Sequence, residues 1–376
     1  MRFLKPLTLY LGSITLIGCL EPQTAPNLEN IPSTDFKLET LASNLKHPWS
    51  VAELPDGTYL ITERGGKLFH IKNKIKTEIT GLPQDIFAEG QGGLLDVVLA
   101  PGFLQSNEVY LSYSYGTLES NGTALFKARL ENKTLQNGKV IFRASPPKSA
   151  PQHFGGRITF LPDETLVLTL GDGFAFREDA QKPETHIGKI VRLTKDGGTP
   201  QDNPFLGQSD YKPQIYSLGH RNVQGVVYDA ETKTLWAHEH GPRGGDELNI
   251  IKAGENYGWP IATKGTDYQG ARISPFESYE NMADPIHNWT PSIAPSGLAI
   301  YQGDMFPEWR GDALIGGLSS RDLRLVDIEN GQSVAEYDLL CDLEARIRDV
   351  RVDQSGAILI LTDDAENGKL IRIAAK

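Results

Sequence analysis

The chain has 376 residues, with 37 Lys and Arg against 48 Asp and Glu, a formal net charge of −11. That acidic balance, with no basic run, excludes a nucleic-acid-binding face, which needs clustered cations. Apolar residues at 39% and charged residues at 23% exclude a disordered chain, and two cysteines exclude a disulfide-stapled scaffold.

The first segment reads as an address. Arg2 and Lys5 precede an apolar stretch from Leu7 to Ile17, too short for a membrane span of about 20 residues. This is the layout of a secretory signal peptide, placed at residues 1–18. Leu16-Ile17-Gly18-Cys19 resembles a bacterial lipobox, whose cysteine is lipidated and becomes the first mature residue. The alternative is an ordinary signal with an incidental cysteine. The expectation is a periplasmic protein held to the outer membrane only through a lipid on Cys19. Residues 19–37, with Pro22, Pro26 and Pro32, read as a flexible tether. With Cys19 lipidated, Cys341 has no intrachain partner and is expected as a small buried apolar residue.

From residue 38 onward one theme recurs: alternating apolar residues, a turn with Pro, Asp or Gly, then a second apolar strand. In chain order it reads SVAELPDGTYLITER, LDVVLAPGFLQSNEVYLSYS, GRITFLPDETLVLTLGD, QGVVYDAETKTLWAHE, SGLAIYQGDMFPEWRGDALIGG and RDVRVDQSGAILILTDD. The period-two alternation, rich in Val, Ile, Leu, Tyr and Thr, marks β-strands. Six copies of about 55 to 60 residues match the larger blades of β-propellers. The expected fold is all-β, a six-bladed β-propeller over residues 38–376; a pair of β-sandwiches is the alternative. Segments 174–213 and 259–291 are expected as loops decorating one face. In the fifth repeat one strand is expected near 313–326.

Polar clusters sit at the strand ends. Gln91-Gly92-Gly93 opens the second repeat, Gln152-His153-Phe154-Gly155-Gly156-Arg157 leads into the third, and Gly219-His220-Arg221-Asn222-Val223-Gln224-Gly225 into the fourth. Then come Glu239-His240-Gly241-Pro242-Arg243-Gly244-Gly245-Asp246-Glu247-Leu248-Asn249 and Asn256-Tyr257-Gly258-Trp259-Pro260; Arg346-Ile347-Arg348-Asp349-Val350 opens the last repeat. Arg346 and Arg348, two apart, share a strand face; their charges need an anion between them, either a bound one or a structural carboxylate such as Asp349. Asp246 and Glu247 with glycine flanks suit either a hard cation such as Ca²⁺ or a hydrated surface loop. His238 and His240 share a face but lack a third ligand for zinc.

In combination these clusters are more specific. Gln91, Gln152-His153, Arg221-Asn222, Gly241-Pro242 with Glu247, and Arg346/Arg348 follow one another along the repeats. This order resembles the soluble pyrroloquinoline-quinone (PQQ) sugar dehydrogenase family, nearest its bacterial aldose dehydrogenases, over about residues 38–374. The resemblance implies oxidation of an aldose to its lactone by hydride transfer from C1 to PQQ, with electrons passed on to a separate acceptor. It implies His153 as general base and Arg221 as stabiliser of charge on the reduced quinone. It implies Gln91, Arg221, Asn222, Arg346, Arg348 and Tyr268 as PQQ contacts. The carbonyls of Gly241 and Pro242 would ligate a Ca²⁺ at the quinone; Glu247 and the Tyr257 carbonyl would hold a second, structural Ca²⁺.

One position departs from the family pattern. A lysine usual in the fifth blade is replaced by Ser319 in Gly316-Gly317-Leu318-Ser319-Ser320-Arg321. On one continuous strand Arg321 would share the face of Ser319 and supply the missing cation. Two competing functions are a Ca²⁺-dependent propeller lactonase and a non-enzymatic propeller module that has lost its quinone.

Overall fold

Each of the six sequence repeats folds as the inner hairpin of a four-stranded antiparallel blade, and the fifth blade gains a short parallel fifth strand at its outer edge. The structure is a computed structural model that describes residues 29–31 and 33–376; the leader and Cys19 lie outside the described residues. Five blades are continuous in sequence, at 48–79, 94–143, 158–218, 223–289 and 295–339. The sixth combines 347–374 with Lys37–Leu45, whose outermost strand runs antiparallel to Gly368–Ala374. The two ends of the propeller are thus fastened in one blade.

The innermost strands are Pro48–Glu53, Leu94–Leu99, Ile158–Phe160, Val223–Asp229, Pro295–Ile300 and Ile347–Val352. Each packs against the next, and the sixth packs against the first, so the ring is closed. A closed ring of six excludes the sandwich alternative.

The core is divided among the blade interfaces. Leu60 and Leu68 face the second blade, while their neighbours Ile61 and Phe69 face the sixth. Ile358 and Ile360 pack towards the fifth blade, whereas Leu359 and Leu361 pack towards the first. A blade buried on both faces needs apolar residues at consecutive positions, which accounts for runs such as ILIL at the heart of the repeats.

Five inner strands carry a β-bulge near their first residues, where the pairing register shifts. The residues left without a rung are Trp49, the Leu95–Asp96 pair, Gln224, Gly297 and Arg348. A bulge bends its strand and re-aims side chains. Here four of these residues, Trp49, Leu95, Gln224 and Arg348, line the central channel.

The structure corrects four expectations. The stretch of the fifth blade expected as one strand through 313–326 holds parts of two, Ala313–Gly317 and Leu323–Glu329. Leu318 to Asp322 form the turn between them, closed by Ser320 Oγ donating to Asp322 Oδ1, with Arg321 at φ +62°. Segment 174–213 contains Lys189–Leu193, the third strand of its blade, and 259–291 ends in the strand His287–Trp289. Glu29–Ile31, expected within the flexible tether, instead pairs in parallel with Tyr337–Leu339, and Ile31 packs on the core there. Cys341 is only half-buried, with a free thiol.

Candidate active site

His153 projects from the loop that enters the third inner strand, at φ +50°. That left-handed backbone is held from several sides. Gln91 Oε1 accepts the His153 amide at 2.9 Å, and the Gln91 amide donates to the Pro151 carbonyl at 2.8 Å. Lys148, buried over the Phe154 ring, donates to Gln152 O (2.8 Å), Ala150 O (2.5 Å) and Asn121 Oδ1 (2.9 Å). A Cβ at Gly171 would collide with the His153 carbonyl, so the two loops meet only because that residue is glycine.

The imidazole Nδ1 lies 2.6 Å from Asp172 Oδ1, and Trp259 Nε1 donates to Asp172 Oδ2 at 2.8 Å. Burial alone would raise the Asp172 carboxyl, but the hydrogen bond from His153, with Arg221 and the Phe174 amide nearby, holds it below its usual range. Burial pushes the His153 imidazole down, against the pull of Asp172. The pair therefore rests as a carboxylate beside a neutral ring whose proton is on Nδ1, leaving the lone pair on Nε2.

The next blade repeats this arrangement. His220 Nδ1 lies 2.9 Å from Glu239 Oε1, and in both pairs histidine and acid are 19 residues apart. The difference is at the far nitrogen. His220 Nε2 is engaged by Ser217 Oγ at 2.8 Å, whereas His153 Nε2 makes no hydrogen bond among the described residues. One pair is structural, and the other leaves a base available.

Arg221 stands beside this base. Its Nη1 donates to the carbonyls of His240 (3.1 Å) and Gly241 (2.6 Å), and its Nη2 to Tyr268 Oη (3.2 Å). Asn222 Oδ1 accepts the Gly155 amide at 3.2 Å. The structure thus brings Gln91, His153, Arg221, Asn222, Gly241 and Tyr268 together. His238 is buried and His240 half-buried, each with Nε2 against a carbonyl of the fifth blade, Gly297 and Pro295 respectively.

A channel cavity of about 280 Å³ is lined by Gln91, Asn222, Gln224, Arg64, Arg346 and Arg348, among others. Arg348 is buried, and burial with the neighbouring guanidiniums drives its pKa down to about 10. The structural counter-charge to Arg346 and Arg348 is Asp363, at 3.4 and 3.6 Å. Asp349 is engaged elsewhere, by Arg157 at 2.9 Å and Arg351 at 3.2 Å. One carboxylate for two guanidiniums, with Arg64 lining the same space, leaves surplus positive charge. That suits a polycarboxylate such as PQQ.

A neighbouring cavity of about 700 Å³ is lined by Gly241, Pro242, Arg243, Tyr268 and Ser319. Arg321 does not line it; it borders a third cavity with Arg346, Asp364 and Lys369. The proposed replacement of the family lysine by Arg321 thus loses its geometric basis, because a turn, not a strand, separates it from Ser319. Arg243 shares the cavity of Ser319, and its side chain has no hydrogen bond or ion pair among the described residues.

The donor chemistry for Ca²⁺ is also present. The carbonyls of His240 and Gly241 already converge on a cation, the Arg221 guanidinium. Glu247 pairs across the sheet with Glu239, and burial together with that like charge raises its carboxyl well above the usual range. A divalent ion would relieve both effects. Tyr257 is tied to this cluster by its ring, which stacks on His220 at 4.8 Å.

Sequence reasoning missed Asp172, Lys148 and Arg64. The signal for Asp172 was the repeated spacing, since a histidine before the inner strand and an acid 19 residues on occur twice. Nothing local marks Lys148 or Arg64.

A family model described as Glucose / Sorbosone dehydrogenase matches residues 45–372. The chain is 40% identical over 353 residues to the aldose sugar dehydrogenase YliI of Escherichia coli K12, covering 92% of this chain and 94% of that one. The crystal structure of the soluble aldose sugar dehydrogenase from Escherichia coli in the apo-form is similar with a TM-score of 0.87 at 40% identity, covering 91% of this chain and 100% of that chain. The PQQ-bound aldose sugar dehydrogenase of Streptomyces coelicolor is similar with a TM-score of 0.75 at 26% identity, covering 93% and 100%. With the fold, the ordered clusters and this match over nearly the whole propeller, the chain belongs to the glucose/sorbosone dehydrogenase family.

Proposed function

We propose that the chain is a PQQ- and Ca²⁺-dependent aldose dehydrogenase that oxidises the sugar C1 hydroxyl to a lactone. The observation that carries this reading is the open Nε2 of His153 on a neutral ring fixed by Asp172, beside a channel with surplus cationic charge. When bound, PQQ supplies the two-electron acceptor for the C1 hydride, and Ca²⁺ supplies Lewis-acid polarisation of the accepting carbonyl.

The protein's residues supply the rest. His153 Nε2 takes the proton of the C1 hydroxyl, and Asp172 stabilises the imidazolium that forms. Arg346, Arg348 and Arg64 would hold the carboxylates of PQQ, with Gln91 and Asn222 completing the wall. Arg221 brings its charge to where negative charge develops. Gly241 and Pro242 would hold the Ca²⁺ at the quinone, and Glu247 with the Tyr257 carbonyl the second Ca²⁺. Export by the leader and a lipid on Cys19 would place this chemistry in the periplasm.

The test is the absorption spectrum of the purified protein incubated with PQQ and Ca²⁺, before and after an aldose such as D-glucose. Reduction of a bound quinone supports the reading. Bound quinone that no aldose reduces overturns it. Ser319 favours one other reading, a propeller module without the cofactor, and failure of PQQ to bind at all would select that one.

A further inference from the structure

Phe174 is a large aromatic residue placed where folding gives it little reason to be. Half of it is exposed (49%), and its backbone is left-handed at φ +65°. A bulky residue in that region is strained and persists only where its surroundings impose it. What imposes it here is the catalytic pair itself. The Phe174 amide donates at 2.7 Å to Asp172 Oδ1, the same oxygen that faces His153 Nδ1.

The ring then stands against the base. Its centroid is 5.4 Å from that of His153, at an interplanar angle of 79°. On another side is Tyr268, its ring within 24° of parallel and 6.3 Å away, itself 57% exposed. That spacing is too close to admit a third ring between them and too offset to bury either. The two form one apolar wall beside His153, tied through Tyr268 Oη to Arg221.

We propose that Phe174, backed by Tyr268, is the rest for the C–H face of a cyclic aldose, and so a substrate-selecting residue. A pyranose ring carries hydroxyls at its rim and C–H bonds on its faces. It stacks on an aromatic ring while its rim stays available to polar groups. Here one such group is His153, whose ring lies against Phe174, so a sugar seated on Phe174 can present its C1 hydroxyl to the base. The inference rests on the dehydrogenase reading and assigns the residue that seats the sugar ring.

The test uses the chain loaded with PQQ and Ca²⁺, with Phe174→Leu removing the aromatic face and Phe174→Tyr keeping it. Phe174→Leu is expected to raise the KM for D-glucose about tenfold while kcat stays within about twofold. PQQ titration should be unchanged, and Phe174→Tyr should restore the KM. An unchanged KM in Phe174→Leu overturns the proposal. So does a fall in PQQ affinity that parallels the rise in KM, since the ring then serves the quinone. Saturation-transfer NMR on D-glucose without an electron acceptor provides a readout independent of turnover. Transfer to the ring protons should be seen with the wild type and Phe174→Tyr and be lost in Phe174→Leu; no loss overturns the proposal. A wild type that binds D-glucose this way without reducing its quinone overturns the dehydrogenase reading and leaves the aromatic rest intact.

Discussion

The Arg221 guanidinium lies on the Gly241 carbonyl, with Nη1 2.6 Å from the oxygen. The carbonyl assigned to Ca²⁺ therefore already holds a cation, and the ion must compete with it. Arg221→Ala should tighten Ca²⁺ binding to the PQQ-free protein, by about tenfold for the loss of one charge-assisted hydrogen bond. Calorimetric titration checks this; equal or weaker Ca²⁺ binding in the variant would place the ion away from Gly241.

His153→Ala should lower turnover by about 10²- to 10⁴-fold with PQQ binding nearly intact, the usual weight of a general base. The pH dependence has a definite sign. Burial lowers the His153 pKa below its ordinary 6.5, so the base stays neutral through pH 7. The kcat/KM profile should be flat across neutrality and fall only on the acid side, with an apparent pKa below 6.5. Asp172→Asn removes the group that favours the protonated ring, so its acid limb should move lower still while the plateau drops. An acid limb centred above 6.5 would remove His153 from the role.

Glu247→Gln should have opposite effects with and without metal. Its carboxyl is raised by burial and by Glu239, a like-charge strain that the amide relieves, so the metal-free variant should melt no lower than wild type. Added Ca²⁺ stabilises a fold that binds it by mass action; the variant should lose most of that gain. Thermal melts with Ca²⁺ and with chelator decide the matter. An identical Ca²⁺-induced shift in both proteins would exclude Glu247 as a ligand.

Arg243 and Arg321 offer a paired comparison. Arg243 shares the cavity of Ser319, and Arg321 does not. Arg243→Ala should therefore weaken PQQ binding by about 1.5 kcal/mol, the low end for a hydrogen bond to a charged group, while Arg321→Ala changes it little. Fluorescence titration with PQQ measures both, and the reverse order would restore Arg321 as the compensating cation.

The inner hairpins were legible because they satisfy two local rules together, period-two alternation and a turn between the strands. Lys189–Leu193 obeys neither. Its lysine is buried by donating to the carbonyls of Asp179, Ala180 and Ile187, a solution only tertiary structure supplies. The Ser319–Arg321 reading failed for a related reason. Period two holds only along an extended strand, and Arg321 at φ +62° lies in a turn. The site residues carried in clusters came together, whereas Asp172 and Lys148 act on His153 from separate segments. Their partnership exists only once the third blade folds back on itself.

The bulged inner strands separate two demands that most sheets impose on the same residue. Trp49, Gln224 and Arg348 occupy no rung, so the ladder is indifferent to which side chain stands there. Replacing one of them can change what the channel accepts while every strand keeps its register. Deleting one is a different event, because it removes the bulge and with it the bend that aims this end of the strand at the channel. The lining of this channel is therefore open to exchange and closed to shortening, which is the condition under which a ring of blades can acquire new substrates without refolding.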